Sequence, residues 1–367
     1  MVSERDAPLH RIGNTGAHAV ITMALSRLFS IEKEWWESEP VAAYAQRALP
    51  AHLLAIGNVY EAVRVLSFLS DRLRPAETRD RWLRYLPQIL EWVGPTHPIG
   101  LEAREHAAMW RGNAGDAPGA ADDLSLLFAD ELTVYGERDR RTLTTGVYLA
   151  RYLNRAQRFR EGLELVEWLL PIVSDLLGDE DPLTYEVRKE RASLYGVNGQ
   201  TAQARAEYEA LVDDLIRVGD PLRPDLLHIR INLGMWRQHD GDPHPAKTEL
   251  EQVLPTAEAL WGPLDPRVSI ARGVLADCVG DLGDAEAAEG MWRELIASRT
   301  QVSGPEHPNT LAARARQAYW FGQAGDQEGA KVLMAQVLSD QERVLGLDHV
   351  NTQFVRDALA QLQGDRP

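Results

Sequence analysis

A turn-like segment returns along this sequence at a fixed spacing of 42 residues. Its clearest copy runs from Gly304 to Thr310, and steps of 42 residues from Pro308 reach equivalent positions in both directions. A fixed period of about 20–50 residues is typical of stacked repeat proteins, in which each unit packs against its neighbours. The period therefore predicts a repeat array, and not the two or three globular domains that this length would otherwise suggest. The anchor positions share one register: Pro98, Arg140, Pro182, Pro224, Pro266, Pro308 and Val350.

Each 42-residue unit has a pattern that predicts two antiparallel helices joined by a tight turn. Counting from the anchor, positions 10 and 22 are small, position 26 is mostly large and apolar, and position 29 is aliphatic. Position 17 is glycine in every complete unit except at Gln157, so we expect a positive φ there. An aspartate follows in four units and is a candidate N-cap for the second helix: Asp116, Asp242, Asp284 and Asp326.

The spacing divides the chain into four sections. A degenerate repeat begins at Pro40, but the next anchor comes 16 residues late, which predicts an extra helix near residues 77–93. Pro50 and Pro87 lie inside helical patterns and are expected to kink or split them. The sections are a helical N-terminal segment (1–38), the degenerate repeat with its extra helix (39–93), six regular repeats (94–350) and a capping helix (351–367).

Composition and charge limit the partners that we expect. The formal net charge is −16, which disfavours nucleic acid and anionic membranes because both need a basic footprint. Cys278 is the single cysteine, which excludes an internal disulfide and a cysteine-cluster metal site and fits a reducing cytosol. The N-terminus has no signal-peptide core, and no stretch approaches the roughly 18 apolar residues of a membrane span. We therefore expect a cytoplasmic protein.

Two segments carry a resemblance to a known family. Residues 304–311 (GPEHPNTL) and 318–326 (AYWFGQAGD) resemble 42-residue tetratricopeptide repeats of the kinesin-light-chain-like kind, as found in C-terminal regions of actinobacterial STAND/NB-ARC-type proteins. The resemblance implies an all-α, right-handed superhelical solenoid of antiparallel helix pairs. It also implies a non-catalytic protein without cofactors that binds a protein or peptide along a concave face made by the first helices.

Positions 4, 7 and 11 of the first helices line that concave face in the family's register. These positions do not repeat from unit to unit: they are acidic near residue 100, mixed in the middle and apolar near residue 312. A specific groove and a merely solvated inner face both fit this variation. The candidate partner-binding residues are Glu102, Glu105, Met109, Arg151, Glu186, Lys189, His228, Met235, Asp277 and Tyr319.

Other recurring residues favour structural roles. Position 6 is arginine in six units, and we expect these side chains to brace neighbouring repeats, because arginine can lay its stem on apolar surface and pair its head group. Position 12 carries Trp110, Tyr152, Trp236 and Trp320, and we interpret these aromatic residues as packing residues. We interpret Cys278, in the same row, as a small buried hydrophobic residue. The recurring histidines 97, 307 and 349 belong to the turn, and the loop of His239 to His244 is interpreted as solvated.

No enzyme motif stands out. The sequence has no Gly-Lys dipeptide and hence no phosphate-binding Walker A loop, no HExxH and no nucleophile elbow. Arg223 and His228 have a spacing seen in helical nucleases, but Pro224 and the acidic charge disfavour that interpretation. The expected function is a scaffold for a protein or peptide, with a peptide-responsive regulator and a helical hydrolase or nuclease as alternatives. Self-association through exposed helical ends stays open.

Overall fold

The computed structural model describes residues 40–70, 73–218 and 224–363, and within these ranges it has sixteen helices and no strand. The helical segment predicted for residues 1–38 lies outside them. In chain order the helices are α1 (Pro40–Ala55), α2 (Val59–Ser70), α3 (Pro75–Val93), α4 (Pro98–Asn113), α5 (Ala117–Val134), α6 (Arg140–Arg155), α7 (Phe159–Leu177), α8 (Pro182–Val197), α9 (Thr201–Val218), α10 (Pro224–His239), α11 (Pro243–Trp261), α12 (Pro266–Asp281), α13 (Ala285–Ser303), α14 (Pro308–Gln323), α15 (Gln327–Leu345) and α16 (Val350–Gln363).

Two compact units divide the chain, Met1–Glu190 and Arg191–Pro367, and the boundary falls inside α8. In the first unit, each helix from α4 to α7 packs against the next one along the chain. In the second unit, the same is true of each helix from α9 to α16. The all-α fold of consecutive helix pairs that the sequence predicts is therefore confirmed.

Every anchor of the 42-residue period is the first residue of a helix: α4, α6, α8, α10, α12, α14 and α16 begin at these positions. Proline suits the first helical position because its missing N–H would have no partner there. Wherever the structure describes the residue before the anchor, its side chain caps the helix. His97 Nδ1 accepts from the Ile99 N–H at 3.2 Å, and Asp265 accepts from the Arg267 N–H at 2.8 Å. Capping explains why histidine recurs in this turn.

The turn inside each pair has the predicted positive φ. The glycine at position 17 has φ between 79° and 116° in the five complete units that carry one, and Gln157 has φ 63°. Gln157 is the one non-glycine residue with a positive φ among the described residues. Asp116, Asp284 and Asp326 accept N–H bonds as predicted N-caps. Asp242 occupies the equivalent position, but its side chain makes no capping bond.

The core is built from the small and apolar columns of the repeat. In the first unit Ala108 and Ala120 are buried, which lets α4 and α5 approach closely, and Leu124 and Leu127 fill the space beside them. In the second unit the equivalent columns are buried as well: Ala276, Ala288, Trp292, Leu295, Ala318, Ala330, Met334 and Val337.

Two internal prolines do not split their helices. α1 continues through Pro50 and α3 through Pro87, so the expected split is wrong. Buried side chains on both sides of each proline hold the helix in place, namely Leu49 and Leu53 in α1, and Tyr85 and Ile89 in α3. This packing outweighs the lost backbone hydrogen bond.

Candidate functional site

The first-helix face, defined here as positions 4, 7 and 11 of the first helices, carries an ion-pair network in the first unit. Arg151 on α6 donates to Glu186 at 2.6 Å and to Glu190 at 2.8 Å, both on α8. Lys189 pairs with the same Glu186 at 2.5 Å. Burial opposes the charged form of Arg151, but Glu190 and Glu186 outweigh it and raise the pKa of the guanidinium. The structure therefore brings three predicted residues, Arg151, Glu186 and Lys189, into one satisfied network.

Glu102 and Glu105, also on this face, line a separate cavity of about 690 Å³. The first turns of α4 and α6 and the end of α5 enclose it, and Tyr60 of α2 contributes to its rim. We call this the acidic cavity. Its main polar and aromatic lining residues are Tyr60, Glu102, Glu105, Glu131, Tyr135 and Thr144.

Glu131 is the residue of the acidic cavity that the sequence reading missed. It lies on α5, is only 3% exposed, and its Oε2 atom has no hydrogen-bond partner among the described residues. Burial raises the pKa of this carboxyl group. Burial, followed by the charges of Glu131 and Glu102, raises the pKa of Glu105 to about 7. At Glu131 the Thr145 side chain and the charges of Arg104 and Arg141 act in the opposite direction, but burial outweighs them.

The acidic cavity and the ion-pair network adjoin each other through Tyr148. The Arg151 guanidinium lies 5.7 Å from the centre of the Tyr148 ring. The pKa of Tyr148 is raised, first by burial and next by the charge of Glu105. Met109 lies at the far end of α4, where its carbonyl accepts from the Tyr152 hydroxyl at 3.0 Å.

Asp277 in the second unit has a structural role in this conformation. Its carboxylate is 6% exposed and accepts from Trp292 Nε1 at 3.0 Å, from Trp320 Nε1 at 2.7 Å and from Arg316. These contacts join α12, α13 and α14. Because each donor is a buried or partly buried group of the same repeat or of the next one, Asp277 is not exposed to a partner here, although its position in the register predicts a contact residue.

The other predicted residues of the second unit lie apart from Asp277. Tyr319 is 43% exposed and packs its ring edge-to-face against Trp320 at 4.9 Å between centroids. His228 and Met235 are partly buried on α10, and Met235 packs against the core that α10, α11 and α12 share. Tyr319 therefore offers the most accessible aromatic surface of the predicted set in this unit.

A second cavity, of about 200 Å³, occupies the same place in the repeat between α12, α13 and α14. Arg299 lines it at position 33 of its unit, the position that Glu131 has in its own unit. Arg299 has no ion pair among the described residues, and burial lowers its pKa. Its guanidinium instead donates to the carbonyls of Asn309 at 2.9 Å and Ser269 at 3.3 Å.

The arginines of position 6 brace helices, as expected, but not only between repeats. Arg104 and Arg314 pair with Asp130 and Asp340 of their own units, both at 2.7 Å. Arg272 pairs backwards with Glu258 of the preceding unit at 2.8 Å. Arg356 likewise pairs backwards, and Arg230 pairs with Glu249 of its own unit. The predicted inter-repeat role therefore holds for part of this row.

The aromatic row at position 12 packs between repeats, as predicted. Tyr152, Trp236 and Trp320 are buried. Tyr152 and Trp320 lie directly over a glycine of the preceding unit, so close that an added Cβ would overlap the ring. Cys278 is buried, and burial raises the pKa of its thiol to about 12, which makes it a small core residue and not a nucleophile.

The described part of the chain holds neither a cluster of side chains placed for a metal ion nor a helix that could span a membrane. Within residues 40–70, 73–218 and 224–363, no group of three or more His, Cys, Asp and Glu side chains is placed to hold a metal ion. In the loop near His239, Asp240 pairs with Arg205 at 2.6 Å. None of the helices within those ranges is long and apolar enough to cross a membrane. Arg223, which together with His228 has the spacing seen in helical nucleases, lies outside the described residues.

The comparisons with known proteins agree with this fold. Residues 274–309 and 310–351 match the tetratricopeptide repeat family model. A signal transduction ATPase with numerous domains (STAND) from Pyrococcus horikoshii, which has a tetratricopeptide repeat sensor, is 12% identical with a TM-score of 0.54. That match covers 99% of this chain and 51% of the other.

Two further solved structures are similar. A Rap protein complexed with Competence and Sporulation Factor is 9% identical with a TM-score of 0.51, covering 97% of this chain and 98% of the other. Kinesin light chain TPR-like repeats from Podosopora anserina are 24% identical with a TM-score of 0.45, covering 55% and 95%. The sequence matches none of the curated proteins with which it was compared.

Residues 274–351 match tetratricopeptide repeats, and the resemblance predicted from the sequence is confirmed. Repeats of this kind are generally non-catalytic scaffolds for interactions between proteins.

Proposed function

We propose that this chain is a non-catalytic scaffold that holds a protein or peptide on its first-helix face, as the interaction or sensor module of a STAND-like system. The observation that carries the proposal is the contrast between columns of the repeat. Core, turn and cap positions are repeated, whereas positions 4, 7 and 11 differ from unit to unit. In the first unit three residues at those variable positions, Glu102, Glu105 and Thr144, line a cavity of about 690 Å³.

Charge supports a protein or peptide over the other classes of partner. With a formal net charge of −16, nucleic acid and anionic membranes would be repelled at long range. A basic or mixed-charge peptide would instead be attracted. The single buried cysteine fits a cytoplasmic location, which is part of this proposal.

Selection of random hexapeptides displayed on phage, with the full chain as the target, tests this function. Selected peptides should lose at least fivefold affinity with Glu102→Arg or with Tyr319→Ala, both exposed changes on the first-helix face. Arg160→Ala on α7 is the matched control, since its side chain is 91% exposed on a second helix. Peptides that depend on Arg160 and on neither face residue would contradict the proposal.

A peptide-responsive regulator is a second candidate. It is favoured by the structural likeness to the Rap protein, whose structure includes Competence and Sporulation Factor. For a regulator, a selected peptide should raise the melting temperature of the full chain in a concentration-dependent way, because binding to the folded state alone stabilises it. A peptide that binds without any such shift, and without changing the protein's hydrogen exchange, would count against regulation.

Self-association is a third and separate proposal, supported by Phe354 on α16, whose side chain is 62% exposed. Phe354→Ser should lower the mass measured by light scattering after gel filtration if copies stack through this helix. Stacking would be contradicted if the wild-type protein and Phe354→Ser had the same mass and neither mass changed across a hundredfold range of protein concentration.

A further inference from the structure

Position 33 of the repeat is apolar in three of the six complete units, is the neutral polar residue Gln341 in one, and is charged in two. Counted from the anchors, it is Val173, Leu215 and Ala257 in three units, all of them fully buried. It is Glu131 at the acidic cavity and Arg299 at the smaller one. Apolar side chains at this position prove that the fold needs no charge there. A charge at such a place costs desolvation energy, which points to a role beyond packing.

The two charged cavities differ in how well their buried charge is satisfied. The Arg299 guanidinium donates to two backbone carbonyls, so a structural role accounts for it. Glu131 has an oxygen with no partner, and it shares its cavity with Glu102 and Glu105. None of these three carboxylates forms an ion pair with a described residue. The acidic cavity is therefore the one whose electrostatics call for an additional group.

Two arginines line the acidic cavity, and one of them is engaged outside it while the other is engaged with a residue of the cavity itself. Arg140 makes two hydrogen bonds with Asp181, at 2.9 and 3.0 Å. Arg141 donates to the Tyr135 hydroxyl at 3.3 Å and lies over that ring, 5.4 Å from its centre. Asp139 accepts from the Arg141 N–H as the cap of α6. The charge of Arg141 lowers the pKa of Glu131 by less than burial raises it, and neither arginine forms an ion pair with Glu102, Glu105 or Glu131.

We infer that the acidic cavity binds the cationic head of a lysine or arginine side chain carried by a peptide. Glu102 and Glu105 would pair with the ammonium or guanidinium group near the opening, and Glu131 would accept a hydrogen bond at the base. Tyr60, 64% exposed at the rim, offers an aromatic face to the same cation. The inference rests on the proposed function, because it names the side chain that the first-helix face would recognise.

The cation alone is tested first, with the full chain and a minimal probe. N-acetyl-arginine methylamide is titrated into the protein at pH 8 by NMR, and its citrulline counterpart, which has the same shape without the charge, is the control. We expect the arginine probe to bind at least fivefold more tightly than the citrulline probe. Glu105→Gln and Glu131→Gln should each weaken it at least fivefold. Equal affinity for the two probes would overturn the inference.

A matched variant separates the cavity from the general negative charge of the protein. Glu164→Gln on α7 removes one carboxylate that pairs with Arg160 at 3.0 Å, outside the cavity. It should leave the affinity for the arginine probe unchanged. Because Glu131→Gln removes a buried charge, we expect that variant to fold. A loss of affinity in Glu164→Gln as large as in Glu105→Gln would also overturn the inference.

Two experiments distinguish the possible sources of the cation: the peptide selection and a binding measurement with spermidine. Selected hexapeptides should be enriched in lysine or arginine, and Glu105→Gln should remove that enrichment. Peptides selected without basic residues would contradict this inference while supporting the proposed function. If no peptide is selected but the arginine probe binds, the proposed function fails and the cation site stands. Spermidine bound in the cavity in preference to any peptide would overturn the peptide assignment.

Discussion

At the scale of single residues, Glu105 has the most consequential environment in the first unit. Its pKa, about 7, lies above the ordinary value of 4.5 because of burial and then of Glu131 and Glu102. The charged and ionisable groups around it come from α4, from α5 and from α6 with its N-cap. They are Glu102, Glu131, Asp139, Arg140, Arg141 and the ionisable Tyr148.

This environment predicts a pH-dependent stability that Glu105→Gln removes. The folded state holds the proton more tightly than the unfolded state, so wild-type stability falls as pH rises from about 4.5 through about 7. Glutamine does not titrate. Glu105→Gln should therefore gain about 1–3 kcal/mol relative to wild type on going from pH 5 to pH 8, in urea unfolding. A constant difference across this range would show that Glu105 titrates normally.

Gln157 is the residue whose backbone the sequence identified most directly. It has φ 63° at a position where five other complete units use glycine. A side chain in the left-handed region costs about 1 kcal/mol. Gln157→Gly should therefore raise the melting temperature, while Gly199→Gln, at the same position of the next unit, should lower it. Changes of the same sign in both variants would contradict the assignment of this turn.

Position 33 shows what sequence reading could have found and did not. The alignment of the repeats shows a charged residue in a column that is apolar in three units and Gln341 in a fourth. Its significance depends on the junction of three helices, and this junction brings Glu131 from α5 beside Glu102 and Glu105 from α4. The periodicity gives the register within each helix, but it does not give the side-chain packing that leaves a cavity open there.

At the scale of elements, adjacent repeats are held together by aromatic rings that lie on glycines. An added Cβ on Gly280 of α12 would come within 2.4 Å of the Trp320 ring on α14. That ring cannot move freely, because its Nε1 donates to Asp277 at 2.7 Å. The contact fixes how α12 and α14 pack.

Gly280→Ala should consequently destabilise the protein by about 1–3 kcal/mol through overpacking, measured by urea unfolding. Gly290→Ala on α13 is the matched control, since the nearest atom to its new Cβ is the flexible end of Arg293 at 3.7 Å. At that position the better helix propensity of alanine should stabilise the folded protein by about 0.5–1 kcal/mol. Equal effects of the two changes would show that the aromatic contact is not a constraint.

The register of elements could be predicted, but the enclosure of individual side chains could not. Proline anchors and the turn glycine depend on local backbone chemistry, which the sequence states directly. Asp277 has the register of a contact residue, yet it is enclosed by other side chains. Trp292 comes from another helix of its own repeat, and Trp320 and Arg316 come from the next repeat. Pro50 and Pro87 were misjudged for a related reason, since packing along α1 and α3 outweighs local propensity.

At the scale of the whole molecule, the repeated core, turn and cap positions form a framework, and positions 4, 7 and 11 form a variable face. Units that contact only their neighbours can change one cavity without altering the fold of the others. The repeated positions therefore explain stability, and we propose that the variable ones, including Glu102 and Glu105, select the partner. That division is the central claim.

Photo-crosslinking tests the central claim most directly. A selected hexapeptide with a benzophenone group is bound to the full chain, irradiated, and the crosslinked residues are identified by mass spectrometry. The account predicts crosslinks to the acidic cavity and the first-helix face of α4 and α6, and their loss in Glu105→Gln. Crosslinks confined to exposed second-helix surface, such as Arg160 to Glu164 of α7, would contradict it.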